Sequence, residues 1–320
     1  MKEMEFLESV RSQYGNEQMR SGFYSLFKRD ASRAMRVLND DALRFPWLYI
    51  LRPEIMKLAL DSYLNNRNHL ALAVTKGLTS PKQARAYALK PEHYPVLKWM
   101  LQTGHTELDL GDEYDRVMDF TAILLARENH DKASLKPIEE IIFSRNRKGL
   151  NAYDAEWAFF ESRDPDCLAM VAERLRATEP KDVELARRLL GFIPCFEANT
   201  ADPVKQYQCV MRWINDNKPY LRYTGESSLK GWNPRRFEVL QEFKYLQKPL
   251  TASGELPPLS SREQSRINEF TGLKPSDREL LSAYSQRLHR SSRAQWDKWM
   301  QLPLIEQIES ARQLQEGASQ

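Results

Sequence analysis

Apolar positions recur at helical spacing along most of the chain. In KPEHYPVLKWMLQTGHTELDL, residues 90–110, Val96, Leu97, Met100 and Leu101 wind onto one face of a helix. Pro91 suits the first turn, where its missing N–H would have no partner inside the helix. Gly104 then reads as a stop signal, because glycine accepts a positive φ. The same punctuation returns at Pro53, Pro81, Pro137 and Pro180, each opening a short helix that Asn or Gly closes. Residues 1–40 predict two helices that face inward through Phe6, Val10, Phe23, Leu26, Phe27, Met35 and Leu38. Trp47, Trp99, Trp157 and Trp213 sit inside apolar helical patterns and are expected in the core.

Leu97 and Leu101 are echoed by Ile138 and Ile142, and again by Val171 and Leu175, at intervals of 41 and then 33 residues. Periods of that size belong to two-helix repeats, in which each unit leans on its neighbours to bury its apolar face. The expected fold class is therefore all-α. An irregular α-solenoid of short helical hairpins is expected over 1–215, an irregular connector over 216–261 and a smaller basic helical module over 262–320.

The unit running from Thr79-Ser-Pro81 to Pro91-Glu-His93 and then Val96-Leu97-Lys-Trp-Met-Leu101 before Gly104 resembles an ankyrin repeat. In that family Thr-Pro opens the first helix, Gly-His precedes the second, and the second reads Val-Val-x-x-Leu-Leu before a glycine. Glu92 stands here where the family has its glycine. The resemblance covers residues 79–110 well and 137–175 poorly. It implies a helical-repeat surface that binds another protein.

Composition agrees with an all-α chain, since only 12 glycines occur in 320 residues and runs of β-branched residues are scarce. No apolar stretch approaches the roughly 20 residues of a membrane span. The N-terminal apolar residues are interrupted by Glu3, Glu5 and Glu8, unlike a signal peptide. Cys167, Cys195 and Cys209 show no paired spacing, so buried reduced thiols and a cytoplasmic location are expected.

Beyond Asp216, prolines and glycines become dense, apart from a helix predicted over Arg235–Gln247 with Phe237, Leu240, Phe243 and Leu246 on one face. TASGELPPLSS, residues 251–261, reads as a linker. Ser260-x-x-Glu263 and Ser276-x-x-Glu279 have capping-box spacing, predicting helices near 262–270 and 276–299, with a last one over 304–314.

Charge singles out this C-terminal part, for residues 205–300 hold 17 Lys and Arg against 10 Asp and Glu. A helix over 282–300 places Arg287, Arg290, Arg293 and Lys298 opposite its apolar side, as a surface for phosphates or for an acidic partner would require. Ile267, Gly272, Leu273 and Leu281 also fit a helix-turn-helix, although Asp277 and Glu279 would bring the wrong sign to phosphate. Trp232, between Gly231 and Asn233 and close to Arg235 and Arg236, is a candidate anchor for a partner. His130-Asp131, with His93 or His105 and Asp154 or Asp164, loosely resembles the ligand set of HD phosphohydrolases. Asp112, Asp115 and Asp119 share a helical face, Asp112 as a charge suited to a helix N-terminus. No residue is assigned a catalytic, metal or cofactor role. The expected function is a non-enzymatic interaction or scaffold protein whose partner is another protein. A nucleic-acid-binding regulator acting through 262–300 is the alternative, and an all-α metal-dependent phosphohydrolase comes third.

Overall fold

The computed structural model describes residues 2–78, 90–196, 202–227, 234–251 and 254–317, and it is all-α. Two compact units divide the chain, one comprising 1–170 with 178–185 and the other 171–177 with 186–320.

The first unit begins with α1 (Lys2–Tyr14), α2 (Asn16–Arg29) and α3 (Ala31–Leu38). Asp30 separates the last two and caps α3 by accepting from Arg33 N at 2.9 Å. Leu7, Phe23, Leu26 and Leu38 are buried, whereas Phe6 lies 60% exposed, so α1 turns a different face inward from the one expected. α4 (Phe45–Lys57) starts at Phe45-Pro46 and runs through Pro53, which was expected to open a helix. Phe45, Leu48, Leu51 and Ile55 are buried on both sides of Pro53, and that burial offsets the one hydrogen bond proline removes.

α5 (Asn66–Leu78), α6 (His93–Gly104), α7 (Asp112–Ile123), α8 (Leu135–Lys148) and α9 (Tyr153–Glu161) follow. Val96, Leu97, Met100 and Leu101 are buried as the spacing predicts. Gly104 is no left-handed stop, since it is the last residue of α6 and has no positive φ. A Cβ there would meet Tyr114 Oη at 2.6 Å, and that hydroxyl donates to Gly104 O at 2.9 Å. Close packing of α7 is what requires the glycine. Gly149 does take the left-handed conformation, at φ 70°, and ends α8. The principal contacts of each of these helices are with the next or next-but-one in sequence. Trp47, Trp99 and Trp157 are half-buried beneath the guanidinium groups of Arg44, Arg67 and Arg127, not enclosed in the core.

The chain passes between units within α10 (Asp166–Glu173), again between 177 and 178, and again within α11 (Pro180–Leu190). The second unit continues with α12 (Pro203–Asn217), β1 (Leu221–Tyr223) and β2 (Phe237–Val239). The strands pair antiparallel, Leu221 opposite Val239 and Tyr223 opposite Phe237. A helix had been expected across Arg235–Gln247. Pairing with β1 takes Phe237–Val239 into the ladder, leaving only α13 (Gln241–Tyr245) helical.

α14 (Ser261–Thr271), α15 (Pro275–Ser291), α16 (Arg293–Trp299) and α17 (Leu304–Gly317) complete the unit. The Ser260–Glu263 capping box forms. The helix expected over 276–299 breaks at Ser292, whose side chain caps α16 by accepting from Gln295 N at 3.3 Å. Tyr245, Phe270, Leu281 and Trp299 are central to the core, and Tyr245 stacks on Phe270 at 4.6 Å. Leu250, just before the stretch read as a linker, and Leu259 within it both pack on this same core.

Cys195 and Cys209 form a disulfide, with their Cα atoms 5.8 Å apart, while Cys167 is a buried thiol. The expectation of three reduced thiols is overturned, and so is the support it lent to a cytoplasmic setting. The pair lies fourteen positions apart, a spacing that carries no motif; the fold brings α12 against the turn at Pro194–Phe196. Among the described residues, no helix is long and apolar enough to cross a membrane.

Candidate binding cleft

One recess in the second unit gathers chemistry that charge counting missed. α12 begins at Asp202, whose carboxylate accepts from Val204 N at 2.9 Å, and Pro203 occupies its first turn. Gln206, Val210, Ile214 and Asn217 form its buried stripe. Cys209, Arg212, Trp213 and Asp216 flank that stripe and face a recess of about 520 Å³. Val239, Gln241 and Lys244 form another side, and Glu279, Ser282 and Ala283 of α15 a third. All of these residues belong to the second unit.

Lys244 is the most informative of them. Its neighbours Phe243, Tyr245 and Leu246 enter the core, which draws the lysine down until it is only 7% exposed. Nζ donates to Asn217 Oδ1 at 2.6 Å. Asn217 Nδ2 donates in turn to Trp213 O at 2.7 Å, which fixes the amide with its oxygen toward the amine. No carboxylate among the described residues forms an ion pair with Lys244. Burial pushes its pKa below the ordinary lysine value, with Asp216 and Glu279 opposing the shift and Arg290 adding to it. Asp216 is engaged elsewhere, paired with Arg290 at 2.8 Å, while its backbone oxygen accepts from Gln286 Nε2 at 2.6 Å. Ser282 Oγ donates to Gln241 Oε1 and lies 3.0 Å from Glu279 O. The disulfide borders the recess, with Cys209 exposed.

The basic candidates do not converge there. Arg290 touches the recess only through Asp216. Arg287 is exposed in a neighbouring groove shared with Asp277, Glu279 and Arg312, and Asp277 and Arg312 pair at 2.8 Å. Arg293 and Lys298 are exposed on α16, past the break at Ser292, so the four cations do not share one helix. Arg235 is exposed, its backbone N–H donating to Glu226 Oε2 at 2.8 Å. Arg236 is 2% exposed and donates to Glu226 O at 2.8 Å, so it braces the hairpin. Trp232 lies outside the described residues, as do residues 79–89 of the ankyrin-like unit.

His130 is exposed at φ 49°, just after a π-helical turn at Leu124–Glu128. Asp131 is buried and accepts from Ser134 Oγ at 2.5 Å and from Lys98 Nζ at 3.4 Å. Burial pulls its carboxyl upward, but Ser134, Lys98 and Tyr94 outweigh this and hold it below the usual range. Asp164 pairs with Lys132 at 2.6 Å, and His105 with Glu140 at 2.8 Å. Asp131, Asp164 and His105 are thus held in separate structural contacts. Among the described residues, no group of three or more such side chains could hold a metal ion.

A sequence clue to the recess did exist. Lys244 interrupts the apolar run Phe243–Leu246, and a lone lysine so placed is drawn inward with its neighbours. Asn217, Gln241 and Ser282 offered no such sign. Comparison with family models, with curated proteins and with solved structures returns no match.

Proposed function

We propose that the chain is a non-enzymatic interaction protein, and that the recess of the second unit receives part of a protein partner. In this reading the hairpins of the first unit stack as a solenoid, in keeping with principal contacts that link each helix to the next or next-but-one. The observation that carries the proposal is the make-up of the recess. Trp213, Val239 and Ala283 provide apolar surface beside polar groups held in place by their own hydrogen bonds. A pocket of this size and mixed lining suits one or two side chains of a partner. The basic side chains favour this reading over nucleic acid, because Arg290 is neutralised by Asp216 and acidic residues flank Arg287.

A displayed-peptide library panned on the whole chain tests it. Ala283→Trp, at an exposed position on the recess, should abolish binding of the enriched peptides while leaving the urea midpoint unchanged. Peptides that bind the variant as well as the parent, or no enrichment at all, would sink the proposal.

A further inference from the structure

The ligand class follows from Lys244, a buried cation of the recess that forms no ion pair among the described residues. An ammonium has three N–H donors, and Asn217 Oδ1 takes one of those on Lys244. Of the nearby acceptors, Gln241 Oε1 already accepts from Ser282 and Asp216 Oδ1 from Arg290. A buried ammonium whose only partner is a neutral amide is costly, and an entering anion would offset that cost with charge-assisted hydrogen bonds. The rim has a matching sign. Lys205 and Arg212 are exposed on α12, against a single acid, Glu279, that forms no ion pair among the described residues.

The rest of the lining restricts which anion fits. Trp213, Val239, Ala283 and Pro194 line the same recess with apolar surface that a bare inorganic ion would leave wet. Guanidinium forks, which favour phosphate by bidentate geometry, do not reach the floor: Arg212 stands on the rim and Arg290 is held by Asp216.

We propose that the recess binds a carboxylate borne on a short apolar body, with Lys244 Nζ donating to the carboxylate and the wall of Trp213, Val239 and Ala283 covering the body. The proposal rests on the recess being the recognition site. The carboxylate can belong to a free organic acid or to the C-terminus of a polypeptide, since both present the same group.

Calorimetry and saturation-transfer NMR on the full chain test it with defined probes. Hexanoate should bind at least tenfold more tightly than hexanamide, its uncharged counterpart, and inorganic phosphate should not displace it. Lys244→Met should remove the preference for the acid. Glu279→Gln, at an exposed rim position, should strengthen hexanoate binding several-fold, and it serves as the test should the lysine variant fail to fold. Acetyl-Ala-Ala-Leu as acid and as amide identifies the source: tighter binding of the peptide acid than of hexanoate points to a chain terminus, and the reverse to a free acid. Equal binding of hexanoate and hexanamide, displacement by phosphate, or no binding of any acid would overturn the carboxylate assignment. Peptides sensitive to Ala283→Trp would still uphold the recess as the recognition site in that event. Their insensitivity would remove the recess itself.

Discussion

Arg145 in the first unit and Lys244 in the second are both buried cations, and they have been treated in opposite ways. In the first unit Arg145 is 2% exposed, with its guanidinium 2.6 Å from Asp119 Oδ1 and 3.2 Å from Asp115 Oδ1. It also donates to the backbone oxygen of Asp115 at 3.2 Å. In the second unit Lys244 is almost as deeply buried, yet it has a neutral amide for a partner and an open recess beside it. A buried charge enclosed by opposite charges fastens helices together, here α7 to α8. A buried charge with a neutral partner at the floor of a recess is available to a ligand. Depth of burial alone does not separate the two; the sign and number of neighbours do.

The comparison can be broken most severely at the arginine. Arg145→Met leaves Asp115 without its counter-charge and Asp119 without its hydrogen-bond donor, and should cost about 3–5 kcal/mol in a urea titration. A loss within experimental noise would mean that the cluster is not a clasp. Next in size is a pH effect. Burial pushes the Asp119 carboxyl up to about 7, against the pull of Arg145. Because the folded value lies above the unfolded one, the native state holds this proton more tightly. Its contribution to stability is complete below about pH 4 and is lost as pH rises towards 7. Asp119→Asn should flatten stability over that window, and an unchanged pH profile would reject the assignment. The smallest effect belongs to the lysine. Lys244→Met exchanges a poorly compensated charge for an apolar chain, so the protein should be unchanged or about 1 kcal/mol more stable. A loss comparable with that of Arg145→Met would show that Lys244 is a structural clasp as well, and would erase the contrast.

The arginine clasp was partly legible in advance. Asp112, Asp115 and Asp119 share a face by spacing alone, and Asp112 does lie in the first turn of α7. What spacing could not show was that Arg145, 26 residues beyond Asp119, turns inward to meet that face. The lysine recess was less legible, because its walls come from α12, β2, α13 and α15. The basic residues chosen by charge count proved to be exposed on separate helices, paired with acids or bracing a hairpin.

By itself the sequence determined the helical class, the inward faces of α2 and α6, and the capping box that starts α14. These depend on neighbours three or four residues apart, and a local rule reads them. Only the tertiary structure decided that Gly104 makes room for Tyr114, that Phe237–Val239 form a strand, that Cys195 joins Cys209, and that Lys244 meets Asn217. Each is a contact between segments distant along the chain. Its free energy depends on which groups remain unsatisfied when the helices close, and no local pattern contains that information.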